Sequence, residues 1–254
     1  MSVDRQAAWD ALAAPDPSPA TFAADRLAAL PDVARRALVR ALAPGVSVSR
    51  VVLLEMEGEI KLRSWVPFRA RQVLRAGEGF VWEASAGRGP VRFRGGDVLW
   101  RGHGSLDFRL WGIVPVARAS GPDVDMSAAG RLAAETVAWA PQALLPAFGT
   151  RWRRQDNTTA TVAVPVGSDT IEVTVAIDAD GLIESLVTRR WGDPDSTGMF
   201  TAIPFGGAVD EHADIDGITI ASSGRVGWWW GTDRQAEGEF FRYRVTDARF
   251  PVSS

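Results

Sequence analysis

One stretch of the sequence combines a cation, a carboxylate and an indole at helical spacing. Arg131, Glu135 and Trp139 recur every four residues, so a helix would carry all three on one face. A desolvated carboxylate can act as a general base, and a neighbouring guanidinium can stabilise developing negative charge. The same groups also suit a polar anchor at the mouth of an aromatic pocket, or a solvated ion pair on the helix surface. The spacing leaves all three interpretations open.

Two further charged residues are candidates for the same site. Asp156 and Arg190 are each predicted near aromatic residues at a strand end. In an enzyme, Glu135 or Asp156 would be the general base, and Arg131 or Arg190 would stabilise negative charge. In a binding protein, Arg131, Glu135 and Arg190 would hold a polar group of the ligand.

Tryptophan is frequent in the chain, with 11 Trp against one Tyr. Each indole buries about 150–250 Å², so these side chains must dominate either the core or the wall of a ligand cavity. We predict a Trp-rich cavity whose wall includes Trp139. The other candidate wall residues are Trp65, Trp82, Trp111 and Trp228.

The residue inventory excludes most metal and thiol chemistry. The chain has no Cys and two His, His103 and His212, which excludes disulfides, thiol nucleophiles and zinc fingers. The segment starting at His212 has the spacing of a calcium loop, but its first ligand would be His and its twelfth position is Ser223. We therefore expect no metal site and no cofactor.

Charge and hydropathy limit the partners and the location. The 28 basic and 31 acidic residues give a net charge of −3 without a basic cluster, so we expect no nucleic-acid partner. No run of apolar residues reaches the length of a membrane span, and the first residues lack the apolar core of a secretory signal. We expect a cytoplasmic protein whose partner is a small apolar or aromatic ligand. The sequence does not determine the oligomeric state.

The hydrophobic pattern predicts the elements that must position these residues. Residues 31–42 have the apolar stripe of an amphipathic helix that ends at Pro44-Gly45. Residues 128–140, capped by Ser127, are predicted to form a second helix, followed by a turn that begins at Pro141. The predicted strands are residues 51–57, 60–65, 79–85, 91–93, 98–110, 114–117, 158–165, 170–177, 182–191, 216–221, 225–230 and 238–248.

This order of elements predicts a mainly antiparallel β (α+β) fold. No alternation of helix and parallel strand occurs, which disfavours doubly wound and TIM-barrel folds. The remaining architecture is a large curved sheet or half-open barrel, with covering helices and short N-terminal helices before it. We divide the chain into a helical segment, residues 1–48, and a β half-barrel, residues 49–254, with inserted helices at about residues 127–146.

Several stretches together resemble an uncharacterised family of bacterial proteins known only as a domain of unknown function. The most specific element is Arg-x-x-x-Glu followed by Trp-x-Pro, which begins at Arg131 and ends at Pro141. Other matching stretches are 30–36, 65–72, 79–84, 190–191, 204–207, 227–232 and 241–243. The order of strands and helices is also similar to that of the lipoprotein-carrier superfold, whose open half-barrel holds acyl chains around plugging helices. The first resemblance implies no catalytic residue, and the second implies an apolar ligand.

We therefore carry three functional hypotheses from the sequence. The first is an intracellular binding or carrier protein for a small lipophilic or aromatic molecule. The alternative is a cofactor-independent enzyme, such as an isomerase, cyclase or hydrolase, that uses a carboxylate base in the same cavity. A third possibility is a partner-binding module with exposed Trp on a sheet edge.

Overall fold

The computed structural model describes residues 3–16 and 20–252, and in these residues thirteen antiparallel strands form one sheet. The strands are β1 Val51–Lys61, β2 Trp65–Arg75, β3 Gly79–Arg88, β4 Val91–Trp100, β5 His103–Leu110, β6 Val114–Ser120, β7 Arg151–Arg154, β8 Thr159–Val166, β9 Asp169–Ile177, β10 Ile183–Gly192, β11 Thr201–Ile215, β12 Ile218–Trp228 and β13 Glu239–Arg249. The helices are α1 Arg5–Ala13, α2 Asp32–Ala41, α3 Pro122–Trp139 and α4 Gln235–Gly238, with 3-10 turns at Ala24–Leu27, Pro141–Leu144 and Pro146–Phe148. This architecture confirms the predicted fold class.

Hairpins generate most of the sheet. The strand order is β6-β5-β4-β3-β2-β1-β13-β12-β11-β10-β9-β8-β7, so β1 and β13 pair in the middle and β6 and β7 form the two ends. The connections Arg101-Gly102 and Asp216-Gly217 have positive φ at both residues. This is the conformation of the two-residue turn that matches the twist of antiparallel strands. The sheet is open, because its order begins at β6 and ends at β7.

The sheet curls around α3, which connects its two ends. This helix contacts both β5 and β10, which are eight positions apart in the strand order. In a flat sheet that separation would be about 38 Å, whereas the whole helix is about 27 Å long. The sheet therefore bends into a half-barrel with α3 on its concave face.

The two faces of the sheet belong to separate apolar clusters. Side chains alternate along each strand, so Val51 packs in a cluster with Leu12 of α1. The next residue, Val52, belongs to the larger cluster with Leu132 of α3 and Leu38 of α2. Helix α1 thus covers one face and α3 the other. The division of the chain at residue 48 stays a prediction.

Several element boundaries differ from the predicted ones. The predicted strand at residues 60–65 contains the turn between β1 and β2, and the predicted strand at residues 98–110 is split by the turn at Arg101-Gly102. The predicted strand at residues 225–230 ends at Trp228, because Trp229 has a positive φ of 53°. A left-handed residue cannot continue the strand.

The helix that carries the candidate site begins earlier than predicted. Helix α3 starts at Pro122, after Gly121, and Ser127 lies inside it instead of capping it. Proline fits the first turn of a helix because its missing N–H has no partner there in any case. The prediction of a cap at Ser127 was wrong, and the added turns bring α3 against β5.

Candidate functional site

A cavity of about 310 Å³ lies between α3 and the concave face of the sheet. Aromatic side chains form much of its wall: Trp82, Phe108, Trp139, Phe205, Trp228, Phe240, Phe241 and Tyr243. Four charged residues also line it: Asp97, Arg131, Glu135 and Arg190. The cavity is therefore mostly apolar and contains a few concentrated charges.

Strand and helix periodicities direct these side chains inward. Phe241 and Tyr243 are two residues apart on β13, and Leu186 and Arg190 are four apart on β10, so each pair shares one face of its strand. On α3, the spacing of four residues places Arg131, Glu135 and Trp139 along one stripe. All three residues of this helix face therefore line the cavity.

Arg131 is at the centre of a hydrogen-bonded charge network. Its Nε donates to Glu135 Oε1 at 2.6 Å and its Nη1 donates to Asp97 Oδ2 at 2.7 Å. Gln72, which is fully buried on β2, donates from its Nε2 to Glu135 Oε2 at 2.6 Å. Its Oε1 accepts a hydrogen bond from Arg131 Nη2 at 3.4 Å. Both oxygens of Glu135 are thus occupied by donors.

The network is largely withdrawn from solvent. The side chains of Arg131 and Glu135 are each 14% exposed, and that of Asp97 is 24% exposed. The Arg131 guanidinium also lies 4.5 Å from the ring centre of Phe80. Desolvation opposes the charge on Arg131, but Glu135 and Asp97 outweigh it and hold the pKa of the guanidinium above its ordinary value. Arg131 is therefore a permanent cation.

Arg190, on β10, lines the same cavity in different surroundings. Its Nε donates to the carbonyl oxygen of Ser127 at 3.0 Å, and its guanidinium lies over the rings of Phe205 and Trp228 at 4.5 and 5.0 Å. No carboxylate of the described residues is within ion-pair distance of it. Desolvation, and then repulsion by Arg131, lower the pKa of Arg190 to about 10.

Two glycines make room for this arrangement. A Cβ on Gly192 would be 2.4 Å from the Trp228 ring, so the ring can lie over β10 only because residue 192 has no side chain. A Cβ on Gly130 would be 3.0 Å from Arg190 Cγ. Glycine inside a helix destabilises it by about 1 kcal/mol relative to Ala, and at residue 130 it allows the Arg190 stem to lie against α3.

Several pairs of rings in the aromatic wall pack edge to face. Trp139 meets Tyr243 at 5.3 Å in a T-shaped contact and donates its indole N–H to the carbonyl oxygen of Ala221 at 3.1 Å. Phe205 and Trp228 form a second T-shaped pair at 5.1 Å. The indole nitrogen of Trp82 is buried and has no hydrogen-bond partner among the described residues. The rings of the wall thus support one another, and Trp82 retains an unused donor.

Three sequence candidates lie outside the cavity. Trp111 is 58% exposed in the turn between β5 and β6, with its indole N–H on the carbonyl oxygen of Pro90. Trp65 begins β2 and stacks under Arg242. Asp156 is exposed between β7 and β8, where its carboxylate accepts backbone N–H bonds from Thr158 and Thr159. The structure brings together the other candidates: Trp82, Arg131, Glu135, Trp139, Arg190 and Trp228.

Several residues of the cavity wall and of the Arg131 network were not predicted from the sequence. Asp97 and Gln72 complete the Arg131 network from β4 and β2, and no spacing within α3 indicates them. Phe205, Phe241 and Tyr243 belong to stretches that carry the family resemblance. That resemblance was the available signal for these three residues.

The described residues offer no group of three or more His, Cys, Asp or Glu side chains able to hold a metal. His103 is 76% exposed beside Asp125. The Nε2 atom of His212 lies 3.1 Å from the carbonyl oxygen of Ile183, and burial lowers the pKa of this imidazole.

In the described part of the chain, each helix is too short or too polar to cross a membrane.

The fold and the cavity define a class of protein: an open antiparallel half-barrel that encloses an apolar, aromatic-walled space with one long helix. Within that class the chain belongs to DUF6544, a family of unknown function, whose family model matches residues 20–240. The predicted resemblance to an uncharacterised family is confirmed. No curated protein matches the chain.

Two solved structures are similar to the chain. One is a domain named for outer membrane lipoprotein sorting from Vibrio parahaemolyticus, with 9% identity and a TM-score of 0.40 over 80% of this chain and 86% of that one. The other is a LolA superfamily protein from Nitrosomonas europaea, with 10% identity and a TM-score of 0.41 over 87% and 93% of the two chains. Similarity at this level carries no inference about function.

Proposed function

We propose that the protein binds or carries a small lipophilic or aromatic molecule in the cavity under α3. The observation that supports this proposal is the cavity itself, about 310 Å³ in volume with eight aromatic side chains in its wall. Ligand sites are typically concave, mostly apolar and equipped with a few polar groups. An engineered apolar cavity of about 150 Å³ holds benzene with room to spare, so this one, at about 310 Å³, suits a molecule of about two to three rings.

The geometry favours binding over general-base catalysis. A general base needs a lone pair within reach of the proton that it removes, and donors of the protein compete for the lone pairs of a carboxylate. Glu135 has one oxygen on Arg131 and the other on Gln72, at 2.6 Å each. Asp156, the other candidate base, lies in an exposed turn away from the cavity. Glu135 is better placed to hold Arg131 than to accept a substrate proton.

A neutral aromatic probe tests the proposal. N-phenyl-1-naphthylamine becomes fluorescent in apolar surroundings, and we expect it to bind the full chain at one site. Ala138 lines the cavity from α3, so Ala138→Phe should fill part of the space and weaken probe binding at least tenfold. Met126, 52% exposed on the same helix, gives the matched control Met126→Phe, which should bind as the wild type does.

Two results would contradict the proposal. The wild type would show no saturable probe binding, or both variants would bind the probe as the wild type does. Native mass spectrometry of the protein purified from its own host gives an independent measurement. A co-purifying small molecule that is lost in Ala138→Phe would identify the natural ligand.

A further inference from the structure

The two carboxylates of the cavity pair with only one of its two arginines. Two guanidinium groups and two carboxylates line the space, but both carboxylates, Asp97 and Glu135, hydrogen-bond to Arg131. Arg190 has only the carbonyl oxygen of Ser127 as a hydrogen-bond acceptor in the described residues, and that bond uses its Nε. The two terminal nitrogens of Arg190 therefore keep donors available to a ligand.

The surroundings of Arg190 fix its position. Its guanidinium lies over Phe205 and Trp228, and the Nε bond ties it to the backbone of α3. The absent side chain at Gly130 lets the arginine stem lie against the helix. A guanidinium held in this way is preorganised, because a ligand does not have to order a flexible side chain on binding.

The charge of Arg190 is unfavourable when the cavity is empty. A cation in a partly dehydrated site normally has a carboxylate partner, and here both carboxylates of the cavity are engaged by another arginine. An anionic group from outside the chain would supply the missing charge. A planar carboxylate matches the two terminal N–H groups of a guanidinium in a bidentate pair.

We propose that the cavity ligand is a monoanionic amphiphile, whose carboxylate pairs with Arg190 while its apolar body packs against the aromatic wall. This inference rests on the proposed binding function and adds the chemical class of the ligand. A single negative charge is favoured over two, because Asp97 and Glu135 line the same cavity and would repel a dianion. The aromatic rings of Phe205 and Trp228 flank the arginine, so the carboxylate and the apolar body contact adjoining parts of the wall.

A matched pair of probes tests the anionic group. 2-Naphthoate and 2-naphthamide have nearly the same shape, and calorimetry at pH 8 measures the affinity of the full chain for each. We expect the wild type to prefer the carboxylate by about 10- to 100-fold, the range for a hydrogen bond to a charged partner. Arg190→Gln should remove this preference and keep amide binding, while Arg190→Lys should retain part of it.

Arg189 provides the control for these variants. It is the adjacent residue on β10, is exposed, and points to the opposite face of the strand. Arg189→Gln should keep the full preference for 2-naphthoate. If Arg190→Gln does not fold, the selectivity of the wild type and of Arg190→Lys still decides the question.

The outcomes separate the two proposals. If N-phenyl-1-naphthylamine binds but the wild type binds 2-naphthoate and 2-naphthamide equally, the anionic ligand is wrong and the binding function stands. A preference that survives in Arg190→Gln would also overturn the role of Arg190. If 2-naphthoate, 2-naphthamide and N-phenyl-1-naphthylamine all fail to bind, the proposed binding function is wrong and the proposed anionic ligand is wrong with it.

Discussion

The two arginines of the cavity face the same space and differ in their partners. Arg131 has two carboxylates and a glutamine within hydrogen-bond distance, whereas Arg190 has one backbone carbonyl and two aromatic rings. The first set is complete within the protein. The second leaves donors unused. The comparison indicates that Arg131 holds the helix to the sheet and that Arg190 is available to a ligand.

The pKa values follow the same division. Desolvation acts against the charge of both guanidinium groups. At Arg131 the neighbouring Glu135 and Asp97 outweigh it and raise the pKa, whereas at Arg190 repulsion from Arg131 adds to desolvation and the pKa falls to about 10. Counter-charges, more than burial, distinguish the two arginines.

The largest effect should come from removing the central cation. Arg131→Met leaves Asp97 and Glu135 in a largely buried site without their partner. Breaking a buried ion pair from one side destabilises a protein by about 3–5 kcal/mol, and we expect a loss in that range from urea denaturation. Arg189→Met on the exposed face is the control. A loss below about 1 kcal/mol would show that the network does not hold α3 to the sheet.

The next largest effect should come from Glu135→Gln. The substitution keeps the size of the side chain but removes the charge that Arg131 requires. Hydrogen bonds to charged groups contribute about 1.5–3 kcal/mol each, so the free energy of unfolding should fall by about that amount. The same substitution at the exposed Glu184 is the control. An unchanged stability at Glu135, with altered turnover of some substrate, would favour the enzyme alternative.

Much of the fold could be predicted from the sequence, because hairpins and amphipathic periodicity are local signals. Strands β8, β9 and β10 alternate cleanly and were predicted to within one or two residues. Strand β11 was missed, since it contains Pro204, Gly206 and Gly207, which disfavour a strand when only local propensity is considered. Its place between β10 and β12 overrides that propensity through sheet hydrogen bonds.

The candidate site was predictable only where its residues share one element. The stripe of Arg131, Glu135 and Trp139 follows from helical spacing. Asp97 joins that stripe from a strand 34 residues earlier in the chain, and such a contact depends on how the sheet curls. Trp111 was a candidate by composition alone, and its place in an exposed turn shows that an indole count does not separate wall from surface.

A pH titration should distinguish Arg190 from Arg131 by a change of about tenfold in the affinity for 2-naphthoate. Arg190 is charged below a pKa of about 10 and loses its proton as the pH rises through that value. The affinity for 2-naphthoate should therefore fall about tenfold between pH 8 and pH 11, since the probe itself stays ionised. Binding of 2-naphthamide should not change.

The other charged and titratable groups of the cavity do not produce this transition. Arg131 stays charged because Glu135 and Asp97 raise its pKa, and burial raises the pKa of Tyr243, which keeps that phenol neutral. Circular dichroism at each pH checks that the chain is folded. A pH-independent affinity for 2-naphthoate would remove Arg190 from the site.

The smallest expected effect is on the stability of Arg190→Met, and its sign matters more than its size. The substitution loses the bond of the charged guanidinium to the Ser127 carbonyl, worth about 1.5–3 kcal/mol, but it also removes the desolvation of a cation that has no carboxylate partner, which offsets that loss. Replacing buried charges with apolar side chains of similar volume is often neutral or stabilising, so the free energy of unfolding at pH 7 should fall by no more than about 1 kcal/mol, or it should rise.

Because the pKa of Arg190 is depressed in the folded state, the wild type should gain stability from this group as the pH rises above about 10, and the variant should lack that gain. Urea denaturation of Arg190→Met beside Arg131→Met compares the two arginines in one series. If the two variants lose stability equally, Arg190 is as structural as Arg131, and the cavity holds no cation reserved for a ligand.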